Sequence, residues 1–473
     1  METLQRTANR GSISTGFDID NSLKFEPDNS EYLGKTPTSS GNRRTFTISM
    51  WIKRTELGMD CYLMEAGDGD YNQSDRTLIK FDSSDNFRFG GGSAYQRTTN
   101  RVFRDTSAWY HIVMAVDTTD STAANRLKLY VNGVEETSFG TSSDPSQNFE
   151  YAFCKDDEHT VGYNHTDNGA YYGGYMSEVI LIDGQQLDPT SFGEFDEDTG
   201  IWKPIDVSGL SFGTNGFYLD FKDASNLGND ASGGTDFTLN NITAADQATD
   251  TPTNSFSTWN VLPLYNGTIF SFPNGATEVK RTSGTGWTTA YSSMGANKGK
   301  WYAEFQILTS GNYLMNGNVP LAKIQSVSAT QFYLGSEANA AAGAGYYSSG
   351  TTNNDYIYHD GGATDSGVTT SADDIISVAM DCDNNKVHFA VNGTWTNSSN
   401  PANNTNGFTM TDDYQFFAHA TLTGDQTWKN NFGGYTTISI SSGASDANGY
   451  GTFEYAPPSG YYALCTKNLA EYG

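Results

Sequence analysis

Apolar and polar residues alternate along most of this chain, and a helical period is nearly absent. Phe46-Thr-Ile-Ser-Met-Trp51 alternates as a half-buried strand does. Trp109-Tyr-His-Ile-Val-Met-Ala-Val116 reads as a buried strand, and so does Met176-Ser-Glu-Val-Ile-Leu-Ile182, which ends at Asp183-Gly184. One phrase occurs twice. Leu127, Leu129 and Val131 share one face of a strand, as do Val387, Phe389 and Val391, and each strand runs into Asn-Gly, at 132–133 and 392–393. Asn-Gly supplies the two positive-φ positions of a type I′ turn, so each phrase predicts a tight hairpin. Each is preceded by an apolar strand ending in an aspartate, Asp117 or Asp381. Outside these units the two halves do not align, and no fixed period runs through the chain. The shared phrase is one supersecondary device used in two different sandwiches, not a solenoid repeat.

Short strands with turn residues between them predict an all-β protein: two antiparallel β-sandwich domains joined by a turn-rich connector. A chain of 473 residues is too long for one ordinary core. The first sandwich is expected over 1–205 and the second over 261–473. Between them, 206–260 reads as a connector with one added strand, Asn215-Gly-Phe-Tyr-Leu-Asp-Phe221. From Asn226 to Thr258 the connector is rich in Asp, Asn, Ser, Thr and Gly, and the boundary is placed near 255–262.

Charge narrows the partners. There are 27 Lys and Arg against 55 Asp and Glu, a formal net charge of −28. Such a surface repels phosphate, which argues against nucleic acid and against docking on anionic membranes. No apolar run reaches membrane-spanning length, so no membrane insertion is expected, and the first residues show no apolar signal segment. Cys61, Cys154, Cys382 and Cys465 are widely scattered and read as small apolar core residues rather than a disulfide or zinc framework.

The first 200 or so residues resemble the concanavalin A-like, laminin-G-like sandwich in Ser22-Leu-Lys-Phe25, Thr45 to Trp51, Trp109 to Ile112, Leu127 to Gly133, and Gly174 to Val179 with Asp183-Gly184. The second half resembles a SPRY domain in Gly299-Lys-Trp-Tyr-Ala-Glu304, Asp374 to Gly393, and Trp428 with Asn431-Phe-Gly433. Taken together, Gly41-Asn-Arg-Arg-Thr45, Ile182-Asp-Gly-Gln-Gln-Leu187, Thr199-Gly-Ile-Trp-Lys-Pro204, Asp250-Thr-Pro-Thr-Asn254 and Pro457-Pro-Ser-Gly-Tyr461 resemble virion-associated proteins of tailed bacteriophages, especially marine phages of cyanobacteria. That resemblance covers nearly the whole chain. It implies a non-enzymatic place on the virion surface, assembled in the host bacterial cytoplasm and oligomeric in the particle. The role it implies is tail-fibre-type host recognition through a cell-surface glycan. It leaves open a structural decoration or fibre role on the capsid or tail, with other virion proteins as partners, and a polysaccharide depolymerase.

Candidate chemistry is sparse. Glycan-cleaving members of the concanavalin A-like fold set two carboxylates around the scissile bond. Here Glu194, Asp196 and Asp198 alternate, but within a turn-rich stretch that reads as a solvated acidic loop, so no catalytic residue is assigned. Asp68, Asp70 and Asp75 are candidate calcium ligands, because laminin-G-like domains often use calcium. The loop breaks the EF-hand pattern at Gln73 and Ile79. Asp381, Asp383 and Asn385 read as the cap of a turn. The six histidines form no metal-binding pair, and no cofactor motif occurs. Binding candidates are the tyrosines of two Gly-rich clusters: Tyr171 and Tyr172 in Asn168-Gly-Ala-Tyr-Tyr-Gly-Gly-Tyr175, and Tyr346 and Tyr347 in Gly343-Ala-Gly-Tyr-Tyr-Ser-Ser-Gly350. A tyrosine ring stacks on a sugar face while its hydroxyl forms hydrogen bonds.

Overall fold

A computed structural model describes residues 16–68, 76–91, 94–165, 169–262, 269–308, 313–326, 332–348, 355–422 and 426–473. The chain forms two compact units that divide between Thr253 and Asn254. Each is an antiparallel β-sandwich. Among the described residues, no helix is long and apolar enough to cross a membrane.

In the first unit, one sheet is centred on Thr45–Arg54, which pairs with Tyr110–Asp117 on one side and Gly174–Asp183 on the other. The facing sheet runs through Thr77–Phe81, Cys61–Gly67, Glu158–Val161, Tyr32–Lys35 and Thr238–Asn240. Alternation sends Leu33, Met64, Ile79 and Val161 from that sheet into the core, where they meet Ile48, Met50, Met114 and Leu129 from the other. The opposite set of the second sheet, including Tyr32, Thr160 and Glu65, lies on its outer face.

Residues 206–253 are part of this sandwich rather than a connector. Phe217–Leu219 pairs with Gly174–Asp183, Thr238–Asn240 with Tyr32–Lys35, and Gln247–Ala248 with Ser22–Phe25. Phe217, Leu219, Phe221, Leu227, Phe237 and Ile242 are buried in the main core. The aspartates that make the segment look solvated are partners of sequestered lysines: Lys24–Asp246 at 2.8 Å, Lys35–Asp230 at 3.0 Å and Lys53–Asp250 at 2.6 Å. A charge removed from water needs a partner, so each pair fastens the segment to the sandwich.

In the second unit, Lys300–Ile307 sits between Gln426–Asn431 and Ile375–Asp381, and the latter pairs with Lys386–Val391. The facing six-stranded sheet runs Thr288–Tyr291, Gln415–Thr421, Leu314–Pro320, Ala344–Ser348, Tyr356–His359 and Gly362–Asp365. Trp259, Trp301, Phe305, Phe389, Phe417 and Trp428 fill the space between the sheets.

Both predicted hairpins are present. Asn132 and Gly133 have φ of 49° and 78°, and Asn392 and Gly393 have 46° and 74°. The two asparagines do the same further job. Asn132 Oδ1 accepts the His111 N–H at 2.7 Å, and Asn392 Oδ1 accepts the Ile375 N–H at 2.9 Å. Each turn is thereby fastened to the strand that precedes its hairpin. Asp381 accepts from the Asn384 N–H at 3.0 Å and pairs with Lys300 at 2.9 Å, which makes it the turn cap read from the sequence. All four cysteines are buried and free.

Candidate functional site

The outer face of the second sheet of the first unit gathers aromatic and polar side chains. Tyr32 is on its strand with the ring outward, because Leu33 takes the core position. The segment after Glu158–Val161 adds Tyr163, and after the turn it adds Tyr171. Tyr163 and Tyr171 stack with centroids 4.6 Å apart and ring planes at 19°, and Tyr32 lies 4.4 Å from Tyr163. Gly34 leaves room beside them. A Cβ there would meet Glu158 Oε1 at 3.2 Å, the Tyr32 ring at 3.7 Å and Asn240 Nδ2 at 3.8 Å, so a carboxylate and an amide converge on the edge of the stack. Desolvation, reinforced by Tyr171, pushes the Tyr163 hydroxyl up to about 12, so it remains an O–H donor at neutral pH.

Next to the stack is a sequestered polar group. Arg76 forms an ion pair with Glu65 and donates to Asn164 Oδ1 at 2.9 Å. His165 Nδ1 lies 3.7 Å from Glu65 Oε2, and among the described residues neither ring nitrogen of His165 makes a hydrogen bond. Tyr62 packs under Arg76 and Lys80, 5.6 and 5.1 Å from its ring centroid. The stacked rings, bordered by the Glu158 carboxylate and the Asn240 amide, form a surface that holds an apolar face and hydrogen-bonds its edge.

The four predicted tyrosines divide evenly. Tyr171 is in the stack and partly exposed. Tyr172, its neighbour, is fully buried, and its hydroxyl donates to the Lys53 carbonyl at 2.9 Å. Tyr347 is partly exposed, whereas Tyr346 faces the core, 6.3 Å from Phe389. Tyr172 and Tyr346 are therefore core residues rather than ligand contacts: alternation along Ala344–Ser348 turns Tyr346 inward, and Tyr172, just before Gly174–Asp183, packs against Phe25. Tyr32, Tyr163, Glu158 and Asn240 were missed. Their proximity depends on strand register, and no local motif announces it.

Of the calcium candidates, Asp68 is exposed at the end of its strand, while Asp70 and Asp75 lie outside the described residues. Among the described residues, no group of three His, Cys, Asp or Glu side chains is arranged to hold a metal ion. Glu194 and Asp196 are in a small hairpin, Gly193–Phe195 with Trp202–Pro204. Lys203 binds both, at 3.3 and 3.2 Å. Asp196 accepts the Thr199 hydroxyl and N–H, which hold its carboxyl below the usual range. These acids close a turn.

Residues 28–185 match the concanavalin A-like lectin/glucanases superfamily, in its laminin-G form, and that span contains the whole tyrosine stack. The first unit is thus a concanavalin A-like sandwich. No curated protein matches the chain. Among solved structures, a Bacteroides ovatus protein described as carbohydrate-binding is similar at 17% identity and a TM-score of 0.33, over 47% of this chain and 59% of that one, so this chain spans about three-fifths of it. The PSpry domain of TRIM65 is similar at 11% identity and a TM-score of 0.29, over 37% of this chain and 91% of that one. A heptameric SAP-like pentraxin of Limulus polyphemus is similar at 16% identity and 0.27, over 36% and 80%. These likenesses are distant, and the chemistry of the site rests on its own residues.

Proposed function

We propose that this chain is a non-enzymatic glycan-binding protein of a bacteriophage virion surface, acting in host recognition. The observation that carries the binding is the Tyr32–Tyr163–Tyr171 stack flanked by the Glu158 carboxylate and the Asn240 amide. Sugar C–H faces pack on the rings, and ring hydroxyls of the sugar meet the polar border. The lectin-type superfamily match over the same residues supports this reading. The phage and tail-fibre part is supported by the whole-chain sequence resemblance. The non-enzymatic part is supported by Glu194 and Asp196, which are engaged by Lys203 and Thr199.

The test is affinity electrophoresis of the full chain through gels containing laminarin, mannan, dextran, alginate or envelope polysaccharide from the host. Retardation in at least one gel, diminished in Tyr171→Ala, is the expected result. Free migration in every gel, or retardation undiminished in Tyr171→Ala, overturns glycan binding at the stack. Release of reducing ends that stops in Glu194→Gln/Asp196→Asn overturns the non-enzymatic reading. Electron microscopy of intact particles tests location: density at the tail supports host recognition, and density over capsid subunits favours decoration instead.

A further inference from the structure

The second unit carries its own half-exposed aromatic surface on the outer face of the six-stranded sheet. Tyr347 points outward from Ala344–Ser348, opposite Met315 on one neighbouring strand and beside Tyr358 on the other. Trp287 enters from the start of Thr288–Tyr291, 6.3 Å from Tyr347. Tyr333 lies 5.4 Å from Trp287 and 5.6 Å from Tyr358, and Tyr313 extends the group 6.3 Å beyond Tyr347. Five rings from five segments thus converge on one side of one sheet. All are partly exposed, and Tyr313 reaches 48%.

The polar ends of these rings set them apart from the packed tyrosines. Tyr172 donates to a carbonyl, Tyr302 to Ser377 and Tyr151 to Gln96. By contrast, among the described residues no hydrogen bond engages the hydroxyls of Tyr313, Tyr333, Tyr347 and Tyr358 or the indole N–H of Trp287. Tyrosine and tryptophan buried for packing alone find a partner for their polar end. Here the apolar rings are grouped and the polar ends remain available, which suits a ligand that is apolar on its faces and hydroxylated at its rim. Charge selects further. Lys323 lies 4.9 Å from the ring of Phe332, the residue before Tyr333, and is bound by Glu337. With the chain at −28, an anionic ligand is repelled.

We infer that Trp287, Tyr313, Tyr333, Tyr347 and Tyr358 form a second saccharide site, specific for neutral oligosaccharides and independent of the tyrosine stack in the first unit. The full chain therefore binds through two sites, and a polymeric glycan that engages both gains avidity without any new contact.

Six of the eight tryptophans are buried and only Trp287 and Trp395 are partly exposed, so the quenching is read in a Trp395→Phe background, where Trp287 reports on the site. The experiment is acrylamide quenching of tryptophan fluorescence in the full chain, with laminarihexaose, cellohexaose, maltohexaose, mannohexaose or a galacturonic acid hexamer added. The expected result is that at least one neutral hexaose protects the fluorescence and the acidic hexamer does not. Protection should survive Tyr171→Ala, vanish in Trp287→Phe, and need at least about tenfold more sugar in Tyr347→Ala at an unchanged thermal midpoint. Absence of protection by every neutral hexaose overturns the site, as does protection undiminished in Tyr347→Ala. Loss of protection in Tyr171→Ala overturns its independence. Gel retardation undiminished in Tyr171→Ala while Trp287 is protected removes the first site and leaves this one standing.

Discussion

Trp202 donates its indole N–H to Nδ1 of His111 at 2.9 Å. An indole nitrogen can only donate, so Nδ1 is the acceptor and the proton of the neutral ring is on Nε2, facing Ser49 Oγ at 2.8 Å. His111 is fully buried, and desolvation lowers its pKa to about 3. The pair joins a central strand to the hairpin of Glu194 and Asp196.

This geometry makes the first unit acid-sensitive. Unfolded histidine titrates near 6.5 and folded His111 near 3, so between these values the unfolded chain binds the extra proton and stability falls as pH falls. The loss for this one group is about 2–3 kcal/mol by pH 4.5. Glu56 and Glu178 of the same unit, and Glu304 of the second, are each pushed up to about 7 and act in the opposite direction between about 7 and 4.5. The check is therefore a comparison: urea midpoints of wild type and His111→Gln from pH 7.5 to 4.5. The wild type should lose more stability on acidification, and parallel profiles would contradict the assignment.

Gly133 and Gly393 are required both for conformation and for space. Each has positive φ, and a Cβ would lie 2.3 Å from the Trp202 ring at Gly133 and 2.6 Å from the Tyr455 ring at Gly393. Gly133→Val and Gly393→Val each combine a left-handed β-branched residue with a clash, and each should cost at least about 2 kcal/mol. Calorimetry of the full chain should show a different transition lowered by each variant. Unchanged unfolding in either one would refute the requirement.

The two hairpins could be read from the sequence because everything they need is within a dozen residues: alternation, then Asn-Gly. The segment 226–253 could not. Its aspartates look solvated until Lys24, Lys35 and Lys53, some two hundred positions away in sequence, are brought against them. The binding surface was half legible. Gly-rich tyrosine clusters point to Tyr171 and Tyr347, but Tyr32 joins only through strand register.

Lys53 and Asp250 test that clamp. Both are buried, and Asp250 also accepts the Trp109 indole N–H at 3.0 Å. Lys53→Met leaves an uncompensated carboxylate and should cost about 3–5 kcal/mol. Adding Asp250→Asn keeps an acceptor for Trp109 and removes the charge, so the double variant should regain much of that loss in urea unfolding. A double variant no more stable than Lys53→Met would show that the ion pair is not what the first substitution disrupts.

Tyr346 and Tyr347 are adjacent and face opposite sides of one strand, so the same substitution should give opposite results. Tyr346 is buried against Phe389, and its hydroxyl is 3.3 Å from Ser366 Oγ. Tyr346→Ala opens a cavity in the core of the second unit and should cost about 3–5 kcal/mol. Tyr347 is on the outer face among partly exposed rings, where truncation should cost no more than about 1 kcal/mol. Thermal denaturation measures the first effect, and hexaose protection of Trp287 measures the second. Equal loss of stability in the two variants would mean that the outer rings are packing residues, and would remove the physical basis for a saccharide surface on this sheet.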